Sequence, residues 1–222
     1  MSLFDKKRSV VALGDDAIQS IRNELNSVLG IARSFDELMA KSGDLVISLE
    51  GRIRGDLLAF TLYLSGINRG VDPREIQVVN SIFDIDLSHV DFQIFSKDVS
   101  SRNFERSVPP SILILKEMGM VLQRETTTNE DGITASEAAE KAGVTNMATK
   151  LPDDLINLYA LVGSAFISAD STISKRESND LCRYLYMMKR AVSGYGAELP
   201  EGPAQQVVLG HVRLFGRGPK ID

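Results

Sequence analysis

Ile67-Asn68-Arg69-Gly70-Val71-Asp72-Pro73-Arg74-Glu75 and Ala169-Asp170-Ser171-Thr172-Ile173-Ser174-Lys175-Arg176-Glu177 are two copies of one pattern, 102 residues apart. Each runs from a small or apolar residue through Asn or Asp, two variable positions, Val or Ile, and three more variable positions to Glu. The same offset pairs Phe60 with Val162, Tyr63 with Ala165, Leu64 with Phe166, Val79 with Leu181 and Phe83 with Leu185. Apolar positions therefore correspond on both sides of each turn, and a helix-turn-helix unit present twice is implied.

Local signals place the helices of each unit. Asp72-Pro73-Arg74-Glu75 supplies a cap residue, a proline at the first helical position and a glutamate at the third; Ser174 and Glu177 occupy equivalent places in the second copy. Behind these caps, Ile76, Val79 and Phe83 form one apolar face, and Leu181, Tyr184, Leu185 and Met188 the other. The first helix of repeat one is expected from near Asp56, after a short segment carrying Gly51 and Gly55. That of repeat two is expected from Pro152 through Leu155, Leu158, Val162, Ala165 and Phe166. The repeats then span residues 56–83 and 155–189.

Outside them, Ile18, Ile21, Leu25, Leu29, Ala32 and Leu38 recur at three- and four-residue intervals, which predicts an amphipathic helix from Asp15 to about Ala40, broken at Gly43. Ser88 to Phe95 and Pro110 to Leu122 predict two more helices. Arg124 to Gly132 is a polar linker, followed by a short helix from Thr134 to Ala142 capped by Thr134 and Glu137. The one stretch that suggests a strand is Gln206 to Leu209. Arg213, Arg217 and Lys220 lie in a Gly-rich setting that suggests a flexible, solvated terminus. The fold class expected is all-α, a helical bundle of two related helical hairpins plus an N-terminal amphipathic helix. It divides into residues 1–43, a bundle at 44–195 and a C-terminal tail at 196–222.

A chain of 222 residues, 43% hydrophobic and 25% charged, can bury an ordinary globular core. The net charge of -5 opposes a broad phosphate-binding face, so no nucleic-acid partner is expected. The longest uncharged stretches, Leu57 to Asn68 and Leu155 to Ala169, are shorter than the ~18 residues of a membrane span. Val10 to Leu13 is too short for the core of a secretory signal and runs into Asp15 and Asp16. A single cysteine, Cys182, excludes an intramolecular disulfide and fits a reducing compartment, so a cytoplasmic location is expected.

The repeated turn is the candidate site. Asp170 and Glu177 can both point toward one helix start, a geometry that suits a hard cation, Ca²⁺ or Mg²⁺. Asp153 or Asp154 would add charge if the preceding helix runs alongside. The 16 residues from Asp154 to Asp170, about 24 Å of helix, instead favour opposite ends. A structural explanation covers the same residues: Glu75 and Glu177 are third residues of capping boxes, and Asp170 can satisfy turn amides by itself. An EF-hand fails, because Lys175 falls where the turn glycine belongs and Leu181 where the bidentate carboxylate belongs.

Other chemistries find less. Ala139, Gly143, Val144 and Thr145 have the spacing of a DNA-binding helix-turn-helix, but Pro152, Asp153 and Asp154 fall in the would-be recognition helix. His89 and His211, the only histidines, share no motif with Cys182 or a serine. Gly194-Tyr195-Gly196 and Gly216-Arg217-Gly218 lack the strand before and helix after that a phosphate-cradling loop requires. No catalytic residue or organic cofactor is expected.

Ala169-Asp170-Ser171-Thr172-Ile173 followed by Glu177, with an apolar helix before it and a degenerate second copy, resembles the TerB-like, tellurite-resistance family. That family's recurring turn is Ala-Asp-Gly-x-Val/Ile with a Glu four residues on, set in a compact helical bundle. The resemblance covers roughly Asp56 to Phe83 and Leu155 to Lys189. It implies a link to tellurite and other chemical stress, divalent-cation binding at acidic surface residues, and membrane-linked or scaffold complexes. Repeat one departs from the pattern with Asn68 and Arg69 in place of Asp and Gly, and repeat two with Ser171 in place of Gly. Any metal would then belong to repeat two. The function expected is a non-enzymatic helical interaction or adaptor module of a stress-response system with a protein partner. The alternative is a cation-binding regulatory domain using Asp170 and Glu177. The amphipathic N-terminal helix offers a partner or homodimer surface or packs on its own bundle, and peripheral membrane association stays open.

Overall fold

The two capping boxes start two helices in the same way. Asp72 has φ −78° and ψ 136°, its carboxylate accepts from the Arg74 amide, and Glu75 accepts from the Asp72 amide. Ser174, 102 residues on, has φ −78° and ψ 152° and exchanges the same kind of bonds with Glu177. The computed structural model describes residues 7–10, 14–42, 48–67, 72–101, 107–124 and 145–221. In chain order its elements are β1 (Lys7–Ser9), α1 (Asp15–Ser42), α2 (Leu49–Ile67), α3 (Pro73–Phe83), α4 (His89–Ser101), α5 (Pro110–Arg124), α6 (Thr145–Ser168), β2 (Thr172–Ser174), α7 (Lys175–Ser193) and α8 (Pro203–Phe215). The fold is an all-α helical bundle.

The predicted hairpins are α2–α3 and α6–α7. Every apolar pair related by the repeat offset is buried, from Phe60 and Val162 to Phe83 and Leu185. Helix α6 is the centre: it packs against α1, α2, α3, α5, α7 and α8, and accordingly is apolar nearly all round. The hairpins interlock through rings. Phe60 of α2 stacks on Tyr184 of α7 with centroids 4.8 Å apart and meets Tyr159 of α6 edge-on at 5.2 Å. Gly163 makes room for this, since a Cβ there would lie 2.6 Å from Leu181 Cδ1 and 3.0 Å from Phe60 Cε1.

Helix α1 turns its predicted face inward. Ile21, Leu25, Val28, Leu29, Ala32 and Phe35 are buried against the bundle, so the amphipathic face is occupied within the chain. It also explains why α2 starts at Leu49, earlier than the Asp56 expected from the sequence. The Asp36 carboxylate of α1 accepts from the Leu49 amide (2.7 Å), the Glu50 amide (3.1 Å) and Ser48 Oγ (2.6 Å), capping a start that contains Gly51 and Gly55. Asp36→Ala is expected to cost about 1–2 kcal/mol, since it removes a cap made through space. Thermal melting would register this as a fall of roughly 2–8 °C in Tm, and an unchanged Tm would refute the role.

Three further elements differ from the sequence expectation. Helix α6 begins at Thr145, with the buried Pro152 inside it, although a proline there forfeits a backbone hydrogen bond. The stretch expected to be a solvated tail contains α8, and Gln206–Leu209 is helical within it. Ala204, His211 and Phe215 are buried, Val207 and Val208 pack on the core, and Asn157 of α6 holds the helix start by accepting from the Ala204 amide at 3.0 Å. Helical spacing of those five residues outweighs the glycines around them. Finally, β1 and β2 form a short antiparallel ribbon with Lys7 opposite Ser174 and Ser9 opposite Thr172. The Asn68–Arg69 turn, the linker to Gly132, the Thr134–Ala142 helix and the Ala139–Val144 motif lie outside the described residues. Among the described residues, no helix is long and apolar enough to cross a membrane.

Candidate functional site

The bend between α6 and α7 is held by its own side chains. Asp170 Oδ1 accepts from the Thr172 amide and from Thr172 Oγ1, both at 2.8 Å, and Oδ2 is also 2.8 Å from that hydroxyl. Ser171 takes φ +63°, in the left-handed region that favours glycine. Glu177 is buried; its Oε2 accepts from the Ser174 amide at 2.7 Å and its amide donates to Ser174 Oγ at 3.1 Å. Both carboxylates named from the sequence therefore stand at one bend, and both carry out the structural work that competes with ion binding.

Asp153 and Asp154 do not join them. They sit about two turns into α6, and Asp153 accepts from Lys189 Nζ at 2.6 Å, fastening the hairpin far from the turn. Burial, and then the neighbouring Asp153, raises the Asp154 carboxyl above its usual range. The helix length between these acids and the turn, noted above, excludes a shared ion.

What the sequence reading missed is that the two repeats bring their glutamates together. Burial pushes the Glu75 carboxyl up to about 7; the bond from the Asp72 amide opposes the rise, and the charges of Glu177, Asp170 and Asp72 add to it. Arg74 offsets part of this charge by a two-pronged bond to Asp72, Nε to Oδ1 and Nη2 to Oδ2, each 3.0 Å. That bond holds the Asp72 carboxyl below its ordinary value. Acids of both repeats thus lie within electrostatic reach of one another. Their side chains already accept from backbone amides, and among the described residues no three His, Cys, Asp or Glu side chains are grouped to hold a metal ion. A Ca²⁺ or Mg²⁺ ion there would need further oxygens from the backbone or from water.

A cavity of about 520 Å³, with Ile173 of β2 in its lining, opens between α6, α7 and α8. Leu161, Ile167, Ile173, Val207 and Leu214 give it apolar walls, and Ser178 and His211 are its buried polar pair. Ser178 Oγ lies 2.9 Å from His211 Nδ1, while His211 Nε2 has no hydrogen-bond partner among the described residues. Burial, with Lys175 and Arg217 nearby, lowers the proton affinity of the ring, so the imidazole is neutral near pH 7. The pair is separated by 33 residues and belongs to no sequence motif, which is why His211 looked isolated. Cys182 is buried and its thiol is pushed up to about 12 by that burial, far from the thiolate a nucleophile requires.

Helix α4 presents the third feature. Phe92 is fully buried and stacks with Phe166, and Ser96 Oγ bonds Ser65 Oγ at 2.7 Å, fixing one side to the bundle. Away from that side, Val90 and Ile94 are exposed by 62% and 59%, and Phe95, on the flank, by 45%. Compared with family models, with curated proteins and with solved structures, the chain matches none.

Proposed function

We propose that the chain is a non-enzymatic helical interaction or adaptor module, cytoplasmic, that engages a protein partner through the outward side of α4. The observation that carries this is the apolar stripe of Val90, Ile94 and Phe95 on a helix firmly anchored behind it. Val90 and Ile94, four residues apart, share one side of the helix with Phe95 flanking them, and together they give the kind of rigid apolar surface that accepts a partner's apolar side chains. The place of this module in a tellurite-type stress response rests on the Ala169–Glu177 turn and its degenerate copy. A homodimer through α1 is disfavoured by the burial of that helix's apolar face.

A second reading, a regulatory domain that binds Ca²⁺ or Mg²⁺ at Asp170 and Glu177, rests on the bend those two carboxylates share. Experiment separates the two. Ile94→Asp is expected to leave the melting temperature nearly unchanged, because the side chain is exposed, and to weaken the partner captured from the native host by about tenfold or more. A partner held equally by wild type and Ile94→Asp would refute the α4 face. Calorimetric heat on adding Ca²⁺, lost in Asp170→Ala, would favour the regulatory reading instead.

A further inference from the structure

We infer that the C-terminal end of α8 is a docking surface for a short acidic segment of a partner protein. Its cations come from two stretches remote in the chain, and the fold gathers them. Arg8 arrives from β1, and its Nε donates to Leu214 O, 3.1 Å away in the last turn of α8. Arg213 belongs to the same turn. Gly216, at φ +75°, closes the helix with its amide on Val212 O at 2.8 Å and sets Arg217 just beyond. The chain is then tied back to α7: the Lys220 amide donates to Asn179 Oδ1 at 2.7 Å, and Lys220 O accepts from Asn179 Nδ2 at 3.4 Å.

All four cations are exposed. One serves the helix itself, since Arg8 bonds a carbonyl of the last turn, where positive charge complements the helix dipole. The side chains of Arg213, Arg217 and Lys220 form no hydrogen bond or ion pair among the described residues. On the bend and on α7, to which β1 and Lys220 are tied, the acids are engaged: Asp170 by Thr172, Glu177 by the Ser174 amide, and Asp180 by Arg176 and Arg183. Asp15 and Asp16, which follow β1, complement the start of α1. A chain of net charge -5 thus carries a corner of unpaired positive charge. At physiological salt such a corner attracts anions over roughly 8–10 Å. A short acidic peptide stays within that reach, whereas a long polyanion or an anionic bilayer extends past it and meets the negative remainder of the chain. Complementary charge of this kind selects a partner and speeds its arrival. The corner shares no residue with the α4 face, so the inference stands whether or not that face binds a protein.

Hexaglutamate is the probe. Added to the full chain at low ionic strength, it is expected to bind with a dissociation constant of about a millimolar or tighter and to move the amides of Arg8, Arg213, Arg217 and Lys220. Salt at about 0.5 M is expected to weaken it by about tenfold or more. Arg213→Glu combined with Arg217→Glu is expected to keep the wild-type melting temperature, both residues being exposed, and to lose about tenfold or more in affinity. Lys150→Glu, a charge reversal on an exposed residue in the first turns of α6, is expected to leave affinity within about twofold. Unchanged amides in the wild type overturn the assignment, as does equal affinity in the double variant. A comparable loss from Lys150→Glu overturns it too, because net charge alone would then explain binding. Duplex DNA or phosphatidylserine vesicles held more tightly than the peptide through the same amides would overturn the choice of a protein partner.

Discussion

Phe60→Ala is expected to destabilise the chain by about 3–5 kcal/mol, measured as a lower midpoint in urea denaturation with little change in slope. Phe60 is fully buried and is the side chain through which α2 reaches both helices of the second hairpin, stacked on Tyr184 and edge-on to Tyr159. Its ring also covers Gly163, a position with no side chain to move into the vacated space. The void therefore stays open, which places the loss toward the upper part of that range. Against a typical total of about 5–15 kcal/mol, such a loss would leave a large unfolded fraction under mild denaturing conditions. A cost below about 1 kcal/mol would mean that the hairpins do not interlock through this ring.

Glu75→Gln is expected to stabilise the chain above pH 7 and to change little near pH 4. The carboxyl is pushed up to about 7 in the folded chain from an ordinary 4.5, so the folded state holds a proton that the unfolded state has released between those values. The corresponding contribution is fully present below pH 4.5 and is lost as pH rises through 7, a total of up to about 3 kcal/mol. Glutamine keeps an oxygen that accepts from the Asp72 amide, preserving the capping bond, and carries no charge to repel Glu177 and Asp170. Wild-type stability should fall across that window while the variant's profile is flatter, as followed by chemical denaturation at pH 4, 6 and 8. A variant weaker than wild type at pH 8 would show that the ionised carboxylate is needed where it stands.

The parts of this fold that could be read along the chain are those written in neighbouring residues. Asp72 with Glu75, and Ser174 with Glu177, satisfy helix-start amides three positions away, so the repeat could be located and its backbone anticipated. The three- and four-residue spacing of Ile18, Ile21, Leu25, Leu29 and Ala32 likewise revealed α1. Helix starts capped from a distance could not be read. Leu49 depends on Asp36 and Ala204 on Asn157, contacts that exist only after α1 and α6 have packed. The same limit applies to the sites. Asp170 and Glu177 share a bend and were paired from sequence, whereas Glu75 joins them only through the packing of one hairpin on the other. Ser178 and His211 meet because α8 folds back over α7, and no spacing rule connects them.

The ribbon at the start of the chain gives these distant places a common strap. Arg8 faces Ile173 across it, and Ile173 is also a wall of the cavity. The Arg8 guanidinium reaches Leu214 O at 3.1 Å, and the Val10 amide donates to Ser171 O at 3.0 Å. A few leading residues thus buckle the bend of the second repeat to the last helix. Cargo fused ahead of Lys7 would tug on the acidic bend and on the histidine chamber at once, before loading any helix of the bundle.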